Sequence, residues 1–141
     1  MTAIEFYTGI SDPIAATHRL ALKVYASGRR LRIATPDQAT TALLDRALWE
    51  KPEDSFVPHC TLGSPLRDAT PIVIDHANDH DGAADVLISL CERPPKYFAR
   101  FERMFEVVGV DATLATAGRE RWAFYKSRGY PLKHTDLSKR G

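Results

Sequence analysis

The chain alternates strand-like and helix-like segments from its first residues, and this order is the feature that most limits its fold. A short apolar segment at residues 4–7 precedes a helical segment that begins at Asp12 and Pro13 and ends near Gly28. Aspartate caps helix N-termini, and proline fits the first helical position. A second strand at residues 31–34 is followed directly by a second helix. Strands that alternate with helices form βαβ units, so the sequence predicts a largely parallel sheet.

The later segments continue the same pattern. Residues 71–74 and 85–90 are nearly continuously apolar, as strands are when helices cover both faces of a parallel sheet. Residues 104–110 predict a further strand, and the last helix is expected over residues 111–128. Residues 131–141 are polar and predict a loose tail. We therefore expect all 141 residues to form a single α/β domain, with a Rossmann-like three-layer fold in which helices flank the central sheet.

Composition and charge argue against several classes of protein. Apolar residues make up 44% of the chain and the net charge is +1, so no large positive field attracts nucleic acid or membrane. Cys60 and Cys91 lack CxxC spacing, which is typical of a reducing compartment. No signal peptide is recognisable, and no segment approaches the roughly eighteen apolar residues of a membrane helix. We expect a cytoplasmic protein that contacts DNA only indirectly and does not bind membrane.

No catalytic or cofactor motif is complete. The first turn, YTGISDP, contains one glycine where GxGxxG would be required, and no GxxxxGK[ST] motif occurs. Residues 75–81, DHANDHD, are rich in possible metal ligands, but a hydrophilic connection between buried strands explains them equally well. We expect no catalytic residue, no metal and no cofactor. The alternative is a metal- or nucleotide-dependent Rossmann-like enzyme that uses His76 and His80 of this loop.

The second helix places a tryptophan away from its apolar stripe. That stripe is formed by Leu43, Leu44, Ala47 and Leu48. At about 100° per residue, Trp49 falls opposite the middle of the stripe, beside Asp45. Trp49 is then either an exposed aromatic anchor for a partner or a side chain that folds back over a frayed helix end. Phe56 and Val57 follow in a segment whose Pro58 restricts sheet pairing to an edge.

The last helix carries a second unusual face. Its predicted core stripe consists of Leu114, Ala117 and Phe124, with Tyr125 at the margin. Arg119, Trp122 and Lys126 follow one another at i, i+3 and i+7 and therefore share an adjacent face. Two cations beside an indole can hold an acidic peptide, because arginine binds a carboxylate bidentately while the ring packs on an apolar side chain. Solvated charges around an indole at the core margin are the alternative.

Taken together, these segments resemble the family of the chi subunit of bacterial DNA polymerase III. The motifs are FYT near the start, GRRLRIA at residues 28–34, LDRALWEKPEDSFVPH at residues 44–59, the PIVI and DVLISL strands, and AGRERWAFYKSRGY at residues 117–130. The resemblance covers most of the chain. It implies a Rossmann-like fold without nucleotide chemistry or intrinsic activity, in a complex that has DNA-directed DNA polymerase activity.

The resemblance also assigns partners to the two surfaces. Proteins of this family join the psi subunit of the clamp loader and the acidic C-terminal tail of single-stranded DNA-binding protein, which ends in an apolar residue with a free carboxylate. The implied psi contact comprises Trp49, Phe56, Val57 and Pro58, and a helicase-like repair protein would compete for it. The implied tail contact comprises Arg119, Trp122, Tyr125 and Lys126. Ala123 stands where relatives often carry lysine, which predicts a weaker or slightly displaced tail site.

Overall fold

The structure is a computed structural model that describes residues 1–50, 58–66, 70–80 and 85–138. Its strands are β1 (Ala3–Ile10), β2 (Leu31–Ala34), β3 (His59–Cys60), β4 (Ile72–Asp75), β5 (Val86–Ser89), β6 (Arg103–Gly109) and β7 (Leu132–Asp136). Its helices are α1 (Pro13–Ala26), α2 (Gln38–Glu50) and α3 (Ala112–Ser127). The strands form one sheet in the order β3-β4-β2-β5-β6-β1-β7, and every pairing is parallel. The predicted parallel sheet is confirmed.

Two apolar cores cover the two faces of the sheet. On one face, Ala21 of α1 and Leu44 of α2 belong to a cluster with the buried aliphatic residues of β2, β4 and β5. On the other face, Tyr125 of α3 and Phe98, at the start of a 3₁₀ segment, belong to a cluster with Phe6 of β1. This arrangement confirms the expected three-layer, Rossmann-like α/β fold.

The helix boundaries follow the capping residues of the sequence. The Asp12 carboxylate accepts a backbone hydrogen bond in the first turn of α1, and Asp111 does the same for α3. Gly28 and Gly129 lie just beyond the ends of α1 and α3 with φ of 79° and 80°, the left-handed conformation that ends many helices. None of the helices within the described residues is long and apolar enough to span a membrane.

The expectation of a loose polar tail is wrong for residues 132–136, which form β7. This strand pairs in parallel with β1, with Leu132 opposite Ile4 and His134 opposite Phe6. Among the described residues it is the last strand of the sheet, with one of its two long sides paired. An edge strand of this kind needs few apolar residues, and charged side chains such as that of Lys133 protect it from pairing with other chains. Polarity alone therefore did not indicate a tail.

Helix α3 turns a different face to the sheet from the predicted apolar stripe. Its buried residues are Gly118, Arg121 and Tyr125. The residues of the predicted stripe are only half-buried, namely Leu114, Ala117 and Phe124. The glycine allows a close approach to the sheet, since a Cβ at Gly118 would lie 2.9 Å from Cγ1 of Val108 on β6. The face with the smallest side chain, rather than the most apolar one, therefore packs inward.

Glu106 on β6 is the reason that this helix can bury an arginine. Arg121 Nε donates a hydrogen bond to Glu106 Oε1 at 3.0 Å, and the Tyr125 hydroxyl donates to Oε2 at 2.7 Å. Buried charges of this kind are tolerated when they are paired and hydrogen-bonded. The Tyr125 side chain is 0% exposed. Its predicted place in a tail contact is therefore wrong, because its ring and hydroxyl are used inside the core.

Loss of the Arg121 side chain and loss of the Tyr125 hydroxyl, the two partners of Glu106, should destabilise the protein by different amounts. Arg121→Ala should lower the free energy of unfolding by about 3–5 kcal/mol at about pH 8, above the Glu106 pKa of about 7, because the carboxylate then stays buried without its cation. Tyr125→Phe should lower it by about 1–2 kcal/mol, since one hydrogen bond to the carboxylate is lost. Urea denaturation measures both. Arg119→Ala on the exposed side of α3 is the control, with an expected change within about 0.5 kcal/mol; equal losses in all three variants would contradict the assignment.

The same carboxyl group should make stability depend on pH. Burial raises the pKa of Glu106 to about 7 from its ordinary 4.5, although Arg121 and the Tyr125 hydrogen bond oppose the shift. The folded state therefore retains this proton where the unfolded state has lost it. The free energy of unfolding should fall as the pH rises from about 4.5 towards 7, by at most about 1.4 kcal/mol per pH unit.

Glu106→Gln provides the matched control for this pH dependence, because its amide does not titrate. Urea denaturation of both proteins at a series of pH values from 5 to 8 gives the two slopes. We expect the variant to lose less stability over the window than the wild type. Parallel pH profiles would show that Glu106 does not titrate in this range.

Candidate functional site

A groove of about 520 Å³ lies between α3 and the carboxyl ends of β1 and β7. Its lining includes the apolar side chains of Phe6, Val108 and Trp122, together with Arg119 and His134. Arg119 is exposed, whereas Trp122 is half-buried. An apolar groove that is lined by a guanidinium can bind an apolar side chain and a carboxylate of the same ligand. The groove combines the apolar surface and the guanidinium that the predicted tail contact requires, and that contact stays a prediction.

The Trp122 indole is held by aromatic contacts on two strands. Its ring centroid lies 5.2 Å from that of Phe6 on β1, and the planes are inclined at 73°. It lies 6.0 Å from the His134 ring on β7, inclined at 66°. His134 Nε2 is in turn 2.6 Å from the Thr8 hydroxyl. These edge-to-face contacts fix the indole as part of the groove instead of leaving it as a mobile surface residue.

The two predicted cations occupy different positions relative to this groove. Arg119 lines it, and its Nη2 donates a hydrogen bond to the Thr116 hydroxyl at 3.2 Å. This bond uses one of five guanidinium N–H donors and restrains the side chain. Lys126 is exposed one turn beyond Trp122, and it is not among the residues that line the groove in the described part of the chain. Lys126 therefore remains a predicted contact without a place in the groove.

Sequence reasoning missed the strand residues of the groove. Phe6, Thr8 and His134 come from β1 and β7, more than a hundred residues apart at their extremes. Only the parallel pairing of these two strands, with Phe6 opposite His134, brings them to one place. The FYT segment was recognised as a motif, but no signal in it indicated a contact with the last helix.

A second aromatic surface lies at the opposite edge of the sheet, beside β3. Helix α2 continues through Glu50, and Trp49 is 61% exposed. The prediction that Trp49 lies off the core face is confirmed. The alternative placed helix fraying at residues 50–52, of which 51 and 52 lie outside the described residues. Leu44 and Leu48 are buried as predicted, whereas Leu43 is 52% exposed. The exposed part of α2 is thus more apolar than the predicted stripe implied.

One neighbour of Trp49 comes from β3, the strand that follows α2 in the chain. Pro58 is half-buried and directly precedes β3. This strand lies at the edge of the sheet, which is the position that the proline predicted. The His59 ring on β3 contacts the Trp49 indole, with centroids 5.5 Å apart and planes inclined at 68°. Phe56 and Val57, the other predicted members of this surface, lie outside the described residues.

The described part of the histidine-rich loop (residues 75–80) is organised around a buried arginine, and not around the metal site considered in the sequence. Arg32 of β2 is fully buried, and its guanidinium donates to three backbone carbonyls of the loop, those of Asp75, Ala77 and Asp79. His80 is buried too, with its Nδ1 3.2 Å from Arg32 Nη1 and its ring stacked on Tyr97. Within residues 1–50, 58–66, 70–80 and 85–138, no group of three or more His, Cys, Asp or Glu side chains could hold a metal ion.

A smaller cavity of about 280 Å³ lies where open α/β sheets often bind nucleotides, at the carboxyl ends of β2 and β5. Its lining contains three prolines, Pro36, Pro94 and Pro95. Phosphate sites at this position use backbone N–H groups of a glycine-rich turn, and proline has no N–H to donate. No glycine occurs among the described residues of this lining. The described part of the lining thus lacks the usual means of holding a phosphate.

The fold and its surfaces define an α/β protein with a parallel sheet and a tryptophan-bearing surface at each edge. Its family follows from comparison with known proteins. The family model described as "DNA polymerase III chi subunit, HolC" matches residues 1–133, and the chain belongs to this family. The resemblance drawn from the sequence motifs is confirmed.

Individual relatives support the same assignment. The chain is 31% identical to DNA polymerase III subunit chi of Pseudomonas aeruginosa over 137 residues, which cover 94% of this chain and 95% of the relative. It is 31% identical to the Escherichia coli K12 subunit chi over 126 residues, 86% of each chain. The Haemophilus influenzae subunit chi is 29% identical over 114 residues, 80% of this chain and 79% of the relative. The similarity thus covers at least 79% of each of these relatives.

Proposed function

We propose that this chain is a non-catalytic accessory subunit of the replicative DNA polymerase III, in the cytoplasm, that links two partners. One is the psi subunit of the clamp loader, and the other is the C-terminal tail of single-stranded DNA-binding protein. Membership of the chi family supports the polymerase complex. The observation that best supports the link is the position of Trp49 and the Arg119–Trp122 groove at opposite edges of the sheet.

The groove suits the tail of single-stranded DNA-binding protein. An acidic tail that ends in an apolar residue presents a hydrophobic side chain and a terminal carboxylate only a few bonds apart. Trp122, Phe6 and Val108 supply apolar surface for the side chain, and Arg119 supplies a bidentate donor for the carboxylate. Lys126, further along α3, would attract the acidic residues that precede the end of the tail.

The Trp49 surface suits the psi subunit. A 61% exposed indole is unusual unless a partner covers it, and tryptophan is the residue type most often found among binding hot spots. Leu43 of the same helix is also exposed, which enlarges the apolar area that α2 presents. Phe56, Val57 and Pro58 follow Trp49 closely along the chain, and we assign them to the same contact. A helicase-like repair protein would compete with psi here.

Separation of the two surfaces would allow both partners to bind at once. Neighbouring strands lie about 4.8 Å apart, so the seven-strand order places β3 and β7 roughly 29 Å from each other. Neither partner then needs to displace the other. A subunit with two such contacts would raise the effective concentration of the clamp loader at coated single-stranded DNA without binding the DNA itself. Its net charge of +1 agrees with weak direct DNA binding.

The tail contact should be lost by mutation of the groove and weakened by salt. A fluorescently labelled acidic peptide that ends in phenylalanine with a free carboxylate is titrated against the wild type at about 50 and 300 mM salt. We expect weaker binding at the higher salt, because the contact is charge-assisted. Arg119→Ala should raise the Kd at least about tenfold, as expected for loss of a charged hydrogen-bonding partner.

Two controls make this titration specific. The same peptide with an amidated C-terminus should bind the wild type about as weakly as the free-acid peptide binds Arg119→Ala, because both lack the carboxylate–guanidinium pair. Trp49→Ala, at the other edge of the sheet, should bind the peptide like the wild type. Absence of binding to the wild type, or equal binding of both peptides, would remove the tail contact from the proposed function.

The psi contact should depend on Trp49 and be less sensitive to salt. Trp49→Ala should raise the Kd for the psi subunit of the same organism by about 30-fold or more, since a hot-spot tryptophan contributes 2 kcal/mol or more. Isothermal titration calorimetry measures the change, with Arg119→Ala as the control that keeps this surface intact. The wild type already saturated with tail peptide should bind psi with unchanged Kd. Competition between peptide and psi would contradict the two-surface arrangement.

A further inference from the structure

We propose that Asp45 and His59 are positioning residues that hold the Trp49 indole in its docking orientation. The proposal rests on the proposed function of Trp49 as an anchor and adds two residues that precede or follow it in the chain. It concerns the free protein, before any partner arrives. The expected consequence is that the exposed indole has little motion of its own.

The side chains of Asp45, His59 and Trp49 lie next to one another, with the imidazole in contact with the other two. Asp45 and Trp49 are four residues apart on α2, so their side chains are neighbours on the helix surface. His59, the first residue of β3, has its Nε2 3.1 Å from Asp45 Oδ1. Its ring also meets the indole edge-to-face, with centroids 5.5 Å apart. One imidazole therefore contacts both the carboxylate and the tryptophan.

Burial makes the imidazole a rigid support. The His59 side chain is 0% exposed, whereas that of Asp45 is 46% exposed and Trp49 is 61% exposed. The histidine backbone is also fixed, because β3 pairs with β4 with His59 opposite Ile72. The carboxylate restrains rotation of the imidazole ring, and the ring then restrains rotation of the indole. An exposed side chain thus acquires the order of a buried one.

Such order matters for binding because a free tryptophan must lose rotamer freedom when it enters a pocket. If the free protein already holds the indole in the bound rotamer, that entropy cost is not paid at association, and affinity rises. A similar contact occurs at the other edge of the sheet, where Trp122 meets His134 of β7. At both edges a histidine on the outermost strand packs against the tryptophan of the adjacent helix.

The test is ¹⁹F NMR relaxation of the full chain labelled with 5-fluorotryptophan. The chain has two tryptophans, so two resonances are expected, and Trp49→Phe assigns them. In the wild type, both should relax as expected for the tumbling of the whole protein. His59→Ala and Asp45→Ala should slow the transverse relaxation of the Trp49 resonance by about twofold or more, because the indole gains local motion. The Trp122 resonance should not change, which serves as the internal control for folding.

Conservative variants separate positioning from a general structural role. His59→Phe keeps a buried ring against the indole, and Asp45→Asn keeps a side chain of the same shape beside the imidazole. We expect both to retain most of the relaxation rate that the alanine variants lose. If His59→Ala and His59→Phe destabilise the protein equally while the Trp49 relaxation stays at the wild-type rate in both, the proposal is overturned and His59 only supports the core.

Binding of the psi subunit provides the second readout. His59→Ala and Asp45→Ala should raise the Kd by about three- to tenfold, less than Trp49→Ala, since the anchor remains but is no longer held in place. An unchanged Kd in both variants, with Trp49→Ala strongly impaired, would overturn the binding role of this support. If Trp49→Ala itself binds psi normally, the proposed function of this surface fails. A faster-moving indole in His59→Ala would even then support the structural part of the inference.

Discussion

The ion pair between Glu106 and Arg121 decides how the last helix lies on the sheet, and much of the candidate tail site depends on it. With Gly118 and Tyr125, Arg121 defines the buried side of α3. At about 100° per residue, Trp122 then falls at the margin of the buried side and Arg119 well outside it. The indole can therefore join the wall of the groove while the guanidinium stays exposed.

The order of the strands provides the second constraint. β3 and β7 are the two edges of the sheet, and α2 and α3 each carry a tryptophan beside one of them. Edge strands keep one side unpaired, so residues next to them can remain exposed without disturbing the core. Proteins that connect two partners need surfaces that do not overlap. A wide parallel sheet with a candidate surface at each edge keeps two such surfaces apart.

In the regions that the structure describes, buried polar side chains such as Arg32 and His80 hold the fold together. The Arg32 guanidinium donates hydrogen bonds to backbone carbonyls of the histidine-rich loop. The His80 ring lies beside Arg32 and stacks on Tyr97. The guanidinium thereby replaces the hydrogen bonds that these backbone groups would otherwise make with water. The loop connects two central strands on the side where related folds bind nucleotides. In this chain, the residues that suggested a metal site in the sequence are therefore partly used to close the end of the sheet.

The layout follows from the sequence: the βαβ order, the capped ends of α1 and α3, the continuous apolar runs of β4 and β5, and the position of Trp49 off the apolar stripe of α2. These features depend on local pattern, and short-range physics is enough to read them. The tertiary structure accounts for the remaining features. It made β7 a strand, because its pairing with β1 is non-local, and it buried Arg121 and Tyr125, because their partner Glu106 lies on another element. It also brought Phe6 and His134 to the groove. Helical spacing assigns each side chain to the core or the surface by its own polarity. Whether a polar side chain is buried depends on whether a hydrogen-bonding or charged partner lies opposite it.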